Sequence, residues 1–315
     1  MIEARIVSVE QLSPDVKSFA VESVTGKRMP ATAPGSHIDL HLTNSLIRQY
    51  SLYEETDGSR YKFAVKHVPN SRGGSRFIHE NLAKGDKITI SPPRNNFILG
   101  RHPHTLLISG GIGITPIMSM TRALATEARS FALHYFCRDA NAPFKDFVDG
   151  LAVDAYASCH VGLDPMATAR KLHELIVSDL PAQTHIYVCG PEPLMDETIR
   201  LGTPKLGTHA VHLERFSPKS STTDQTDQAF VVKLARTGKV LEVPAGQSLL
   251  SVLVGAGVRI SSSCGEGVCG SCVTGVLSGI PDHRDSFLTE EERESGQDIC
   301  PCVSRARTPE LTLDL

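Results

Sequence analysis

Three cysteines, Cys264, Cys269 and Cys272, stand in a C-x4-C-x2-C run, and Cys300 and Cys302 follow about thirty residues later. This is the spacing of a plant-type [2Fe–2S] site, in which four thiolates converge on two irons and one tight loop supplies three of them. Gly265, Gly267 and Gly270 suit such a loop, because they accept unusual backbone angles and leave amides free to approach the sulfurs. Structural zinc more commonly shows two cysteine knuckles, and here there is one knuckle plus an extra cysteine. Cys300 and Cys302 flank Pro301, and both cannot occupy the last iron position.

Two glycine turns have the composition to receive phosphate. Ser71-Arg72-Gly73-Gly74-Ser75-Arg76 lies between the strand-like YKFAVKHV and the helical FIHENL. Amides and a helix dipole there would favour an anion, although a Gly-Gly turn with a serine N-cap would look similar. Downstream, LLISGGIGITP runs from an apolar strand through Gly110, Gly111 and Gly113 into a helix that opens on Thr115 and Pro116. Proline is harmless in a first helical turn, and the glycines would let backbone approach a pyrophosphate. The turn is not G-x-G-x-x-G. Cys137-Arg138-Asp139 ends the following strand. Asp139 can accept from a ribose 2′-OH, which favours NADH, whereas Arg138 could pair with a 2′-phosphate; NADH is the reading adopted.

Short apolar or alternating stretches must position these groups. Residues 1–100 hold six of them (ARIVSVEQL, VKSFAVESV, SHIDLHL, RQYSLY, YKFAVKHV and KITISP), which suggests a small antiparallel barrel with a helix at Ser75–Leu82. In 101–216, apolar strands alternate with helical patterns, as βαβ units on a parallel sheet require. Residues 217–228, SPKSSTTDQTDQ, read as a linker. Residues 229–315 read as a hairpin, a helix, the cysteine loop and a closing strand, ELTLDL. The expected architecture is therefore multi-domain.

Composition narrows the class. The 315 residues are 40% hydrophobic and 21% charged, with net charge −3, as in an ordinary globular protein rather than a basic nucleic-acid binder. No apolar run reaches the ~20 residues needed to span a bilayer, and MIEARIVSVEQ lacks the plan of a secretory signal. The expectation is a cytoplasmic protein without nucleic-acid or membrane partners.

Further motifs carry a resemblance. Arg48-Gln49-Tyr50-Ser51-Leu52, Tyr187-Val188-Cys189-Gly190-Pro191, His212-Leu213-Glu214-Arg215-Phe216 and Cys302-Val303-Ser304-Arg305-Ala306 occur in one order along nearly the whole chain. In that order the chain resembles the phthalate dioxygenase reductase family of the ferredoxin–NADP⁺ reductase superfamily. The resemblance implies an antiparallel β-barrel flavin domain, an α/β parallel-sheet nicotinamide domain and an α+β β-grasp ferredoxin domain. It places Arg48 on the flavin phosphate with Arg72, Gly74 and Ser75, and Tyr50, Ser51, Leu52, Ala64 and Lys66 along the flavin. Cys189, with Gly190 and Pro191, would stand beside the nicotinamide, and Glu214 and Phe216 against the flavin. Ser51, Cys189 and Glu214 would thus flank the reacting atoms. It favours Cys302 over Cys300 and FMN over FAD. The implied path runs from NADH through FMN and [2Fe–2S] to a Rieske-type terminal oxygenase acting on an aromatic acid, with the reductase a monomer. Alternatives are a reductase serving another acceptor, and a redox carrier or sensor with a degenerate flavin domain. Residues 229–315 carry eight Lys/Arg against eleven Asp/Glu, which suggests an acidic docking face through TEEERE.

Overall fold

The structure, a computed structural model, describes all residues except 43–45, 70–72, 153–155, 178–179 and 219–226. It divides into two compact units, Met1–Glu214 and Arg215–Leu315.

The first unit opens with six strands: β1 (Ile2–Ser13), β2 (Val16–Ser23), β3 (His37–His41), β4 (Ile47–Ser51), β5 (Tyr61–Lys66) and β6 (Lys87–Ile90). They pair antiparallel in the order β4-β3-β6-β1-β2-β5. Irregularities in β1 between Ile6 and Ser8 and between Gln11 and Ser13 add bend to the sheet. The edge strands meet in a Leu52–Phe63 bridge, which curls the sheet into a barrel-like closure. Phe19, Ile38, Leu40, Phe63 and Ile90 fill its interior, joined by Ile78 of helix α1 (Gly74–Asn81). The helix starts one residue earlier than the sequence suggests, because Gly73 turns the chain at φ 86° and frees Gly74 to begin it.

A parallel sheet follows, built from β7 (His104–Gly110), β8 (Phe131–Cys137), β9 (Ala157–Val161), β10 (Thr184–Cys189) and β11 (Val211–Glu214) in the order β11-β10-β7-β8-β9. Helices α2 (Ile114–Thr126), α3 (Lys145–Ala152), α4 (Pro165–Val177) and α5 (Glu192–Leu206) connect its strands. Leu107, Leu133, Tyr135 and Tyr187 pack on the α2 face, and Leu106, Ile108, Ile186 and Val188 pack with Leu172 and Leu194. Burial on both faces explains why the strands read as continuous apolar runs. β9 and α3 were not expected from the sequence. Edge strand β9 carries half-buried Ser158, Cys159 and His160 in place of an apolar run, and α3 buries only Val148. Val16, Tyr53, Ala64 and Phe97 from the curled sheet share one core with Leu107, Ile114 and Ile117. At about 1.5–3 kcal/mol per fully buried apolar side chain, that core binds the two sheets into one unit.

The second unit holds a mixed sheet in which β12 (Phe230–Leu234) pairs with β13 (Val240–Val243) and lies parallel to the last strand, β18 (Glu310–Leu313). β14 (Thr274–Ser278) pairs with β18 and with β16 (Asp298–Ile299), and β15 (Pro281–Asp282) pairs with β17 (Arg305–Ala306). Helix α6 (Leu249–Gly255) packs Leu249 and Leu253 onto Phe230, Val232, Leu311 and Leu313, giving the β-grasp arrangement. Helix α7 (Glu290–Ser295) begins on a capping box formed by Thr289 and Glu292. No helix among the described residues is long and apolar enough to cross a membrane.

Candidate functional site

The cysteine loop precedes β14. Gly267 and Gly270 have φ 69° and 66°, and both lie against the opposing segment. A Cβ on Gly267 would come within 2.9 Å of Asp285 Cα, and one on Gly270 would run into the Phe287 ring. The close approach crowds the thiols. Cys264, Cys269, Cys272 and Cys300 are buried and Cys302 half-buried, with Cys272 Sγ and Cys302 Sγ 3.4 Å apart. The amide of Glu266 donates to Cys264 Sγ at 3.3 Å, and the backbone at Gly267 is hydrogen-bonded to the Cys302 sulfur. Sulfur–sulfur hydrogen bonds couple these thiols: those among Cys272, Cys300 and Cys302 lower Cys272 and raise the other two, and the one between Cys264 and Cys269 lowers Cys269 and raises Cys264. Thiols this close cannot all ionise against one another, and iron, when bound, would supply the compensating charge. Sulfur donors, inward amides and glycine backbone fit a [2Fe–2S] cluster.

The two candidate fourth ligands differ in their surroundings. Cys302 feels the charges of Cys272 and Cys264 and bonds to the loop at Gly267. Cys300 interacts with Cys272 and Asp285 and packs with Leu288. Ser304 and Arg305 lock this segment in place. Ser304 Oγ donates to Asp285 at 3.2 Å, and Asp285 accepts the amides of Phe287 and Leu288 at 3.1 and 2.8 Å. Arg305 is buried over the Phe230 ring and donates to the carbonyls of Gln228 and Pro244 at 3.0 Å each, and to that of Gln247. Arg305→Ala is therefore expected to destabilise this unit by about 1–3 kcal/mol, because it removes a buried guanidinium together with its hydrogen bonds to three carbonyls and its stacking on Phe230. Thermal loss of iron–sulfur absorbance should shift downward while loss of flavin absorbance stays in place.

In the curled sheet, β4 presents Arg48, Tyr50 and Ser51. The Arg48 side chain lies across the start of α1, so that a Cβ on Gly74 would stand 2.5 Å from its Nε. The arginine element and the glycine turn thus converge on one helix N-terminus, a combination of guanidinium and helix-start amides that fits a phosphate. Arg72 lies outside the described residues. Ser75 Oγ accepts the Val68 amide at 3.2 Å. Tyr50 stacks on Phe63 with ring centroids 5.7 Å apart, and burial raises its hydroxyl pKa well above the usual phenol range. Leu52 points into the barrel core and Ala64 into the shared core, while Lys66 Nζ stands 3.5 Å from Asp15.

The parallel sheet changes winding direction between β7 and β10, where open α/β sheets bind their ligands. Gly110, Gly113 and Gly190 pack the two flanking loops together: a Cβ on Gly110 would come within 2.6 Å of Pro191, and one on Gly190 within 2.9 Å of the Gly110 amide. Gly111, at φ 53°, faces open space. Thr115 and Pro116 are buried in the first turn of α2, where the Thr115 hydroxyl donates to the Ile112 carbonyl at 3.0 Å. Arg138 and Asp139 are exposed beyond β8, and Asp139 accepts the Asn141 amide at 2.9 Å. Phe216 falls in the second unit and is exposed.

Register places Ser109, Cys189 and Glu214 side by side at the ends of β7, β10 and β11. Ser51 Oγ donates to Glu214 Oε2 at 3.1 Å, which joins the curled sheet to the parallel one at this point. Burial, and then the Glu214 charge, push the Cys189 thiol well above its ordinary value. Two nearby groups escaped the sequence reading, Ser109 and His37, the latter opposite Ser51 across β3–β4. Both have buried polar atoms with no hydrogen-bond partner among the described residues. Neither carries a signal beyond ordinary strand composition. Burial also drives His37 down to about 4, so it is neutral at physiological pH.

Burial raises Glu214 to about 7, against the lowering effect of the Ser51 bond. The folded protein thus holds a proton on Glu214 at pH values where the unfolded chain has lost it. Stability from this group is full below about pH 4.5 and falls as pH rises through 7. Glu214→Gln is expected to remove a loss of roughly 1–3 kcal/mol between pH 5 and 8, discounted for partial exposure. Denaturant melts across that range would show a flatter profile for the variant.

An arginine laid across a helix N-terminus, a switch point in a parallel sheet and a cluster of five cysteines fit a flavin and iron–sulfur oxidoreductase. Residues 3–98 match the oxidoreductase FAD-binding domain family and residues 232–307 the 2Fe-2S iron-sulfur cluster binding domain family. The chain is 40% identical to vanillate O-demethylase oxidoreductase of Pseudomonas putida, covering 100% of both chains. It is 39% identical to phthalate dioxygenase reductase of Burkholderia cepacia, covering 100% of this chain and 97% of that one. A solved structure of phthalate dioxygenase reductase matches with a TM-score of 0.75 at 36% identity, over 100% of this chain and 98% of that one. The chain belongs to the phthalate dioxygenase reductase family. It also spans 53% of a longer relative, oxidoreductase NdmD of Pseudomonas putida, at 35% identity.

Proposed function

We propose that the chain is the NADH-dependent reductase component of a Rieske-type oxygenase system that acts on aromatic acids or their ethers. The observation that carries this reading is the meeting of Arg48 with the Gly74 helix start, in a chain that also holds the Cys264–Cys302 thiol set. When bound, the flavin supplies the conversion between two-electron hydride chemistry and the one-electron capacity of the cluster. Arg48, Gly74 and Ser75 would hold its phosphate, and the family likeness favours FMN over FAD. Tyr50 packs against its ring system, while Ser51, Cys189 and Glu214 surround the reacting edge. The Ser51 Oγ–Glu214 Oε2 hydrogen bond would hold both side chains at that edge, and hydride transfer there requires no strong acid or base. Gly111 and the α2 start receive the dinucleotide, with Asp139 selecting NADH. Cys264, Cys269, Cys272 and Cys302 hold the cluster. Residues 1–100, 101–216 and 229–315 serve as flavin, nicotinamide and ferredoxin domains.

The oxygenase partner, a monomeric state and a cytoplasmic setting belong to the same proposal. Glu290, Glu291 and Glu294 of α7 are exposed and acidic, a surface suited to a basic partner. Glu290, Glu291 and Glu292 also favour the α7 dipole, which accounts for part of the acidic run. The test is NADH-dependent product formation by purified Rieske-type oxygenase components, such as those of vanillate demethylation and phthalate dioxygenation, with this protein as the sole reductase. Turnover that falls with ionic strength supports the reading. No turnover with any such component, alongside rapid reduction of small acceptors, would point to another acceptor.

A further inference from the structure

Away from the glycine loops, toward the N-terminal ends of β10 and β11, His102, His185, His209 and His212 gather, with His102 and His212 against Tyr187. We propose that His102, His185 and His212 form a binding site for one divalent transition-metal ion of the zinc class. Each offers a ring nitrogen, and the three nitrogens lie within 4.8 Å of one another in half-buried positions. His185 Nδ1 is 2.9 Å from His212 Nε2, and the His102 and His185 rings stack with centroids 3.4 Å apart. Turning the stacked His102 and His185 rings so that their nitrogens converge would let all three residues hold one ion at the ~2.0–2.1 Å of a zinc–imidazole bond, leaving one position open.

The surroundings are built to orient the rings. Tyr187, fully buried, places its hydroxyl 3.1 Å from His102 Nε2 and stacks its ring 4.4 Å from that of His212. The same hydroxyl accepts the Gly100 amide at 2.8 Å, which fixes the segment carrying His102. Outer partners of this kind set tautomer and direction in histidine metal sites. His209, exposed, stands edge-on to His185 with ring centroids 5.9 Å apart.

The donor set also selects the ion. All three ligands are imidazoles, which suit zinc, nickel or copper and not the oxygen-seeking magnesium or calcium. Arg129 donates to the Gly100 carbonyl on the same segment and acts on His102. A cation must therefore be held by coordinate bonds rather than by field alone. Because His102 lies between the curled sheet and β7, while His185 and His212 belong to β10 and β11, a bound ion would tie the connecting segment to the parallel sheet.

This inference is independent of the reductase reading, and its test reads metal directly. Purified protein with intact flavin and iron–sulfur absorbance is titrated with Zn²⁺ against a competing indicator. One ion per chain is expected, unaffected by excess Mg²⁺, with His185→Gln and His212→Gln each weakening binding by more than about tenfold while both absorbances persist. Zinc binding that is absent in the parent, or unchanged in both variants, overturns the site. Should the variants fail to fold, crystals of the parent soaked in Zn²⁺ decide. An anomalous peak among the three imidazoles supports the site, and a peak found only elsewhere, or none, overturns it.

Discussion

Cys302→Ser is expected to abolish the iron–sulfur absorbance and to cut electron delivery to a one-electron protein acceptor by more than about 100-fold. Even an outer partner of a metal ligand commonly costs 10–100-fold, and here a ligand itself is lost. Flavin content and NADH oxidation with a small artificial acceptor should survive, because Arg48, Ser51 and Glu214 lie in the other compact unit. Cys300→Ser should keep the cluster. Both cysteines bond to Cys272, but Cys302 also interacts with Cys264 and the backbone at Gly267 on the loop, whereas Cys300 faces Asp285 and packs with Leu288. The Cys300→Ser variant should lose only some thermal stability of the cluster, since a hydroxyl replaces a fully buried thiol packed against Leu288. Iron and sulfide analysis with visible spectra of both variants checks the assignment. Cluster loss in Cys300→Ser with retention in Cys302→Ser would reverse it.

Arg48→Ala is expected to weaken FMN binding about 100-fold, so that the protein purifies largely without flavin. A charge-assisted hydrogen-bond pair to phosphate contributes about 3 kcal/mol, and tenfold in affinity corresponds to about 1.4 kcal/mol. The α1 amides remain, so binding should weaken rather than vanish. Arg48→Lys should recover part of the loss, because an ammonium keeps the charge without the bidentate fork. Gly74→Ala should act in the same direction, since its Cβ would displace the arginine. Fluorescence titration of apoprotein with FMN measures all three, and riboflavin, which lacks the phosphate, should hardly distinguish parent from Arg48→Ala. Equal FMN affinity in both would remove Arg48 from the phosphate.

Much of this was legible in the sequence because local patterns carried it. The cysteine loop announced itself through spacing, and the six short strands and the βαβ alternation through hydrophobic period. What escaped depends on tertiary packing. β9 lies at a sheet edge with polar residues, and no period marks it. The glycines after β7 suggested backbone close to a ligand, yet Gly110 and Gly113 are required by the approach of the β10 loop. The Ser51–Glu214 bond spans 163 residues and the histidine cluster joins three separate segments. Neither has a local signature. The Ser304–Arg305 pair was legible only as a resemblance; its role in pinning the Cys302 segment emerges from its hydrogen bonds.

An anaerobic titration of the purified protein with NADH, followed by visible absorbance, bears most directly on the proposed electron path. A flavin takes up two electrons and a [2Fe–2S] cluster one, so about 1.5 NADH per chain should bleach both sets of bands. Bleaching of the flavin alone would break the link between the two centres. Flavin and cluster both present but untouched by NADH would contradict the reading of this chain as a reductase.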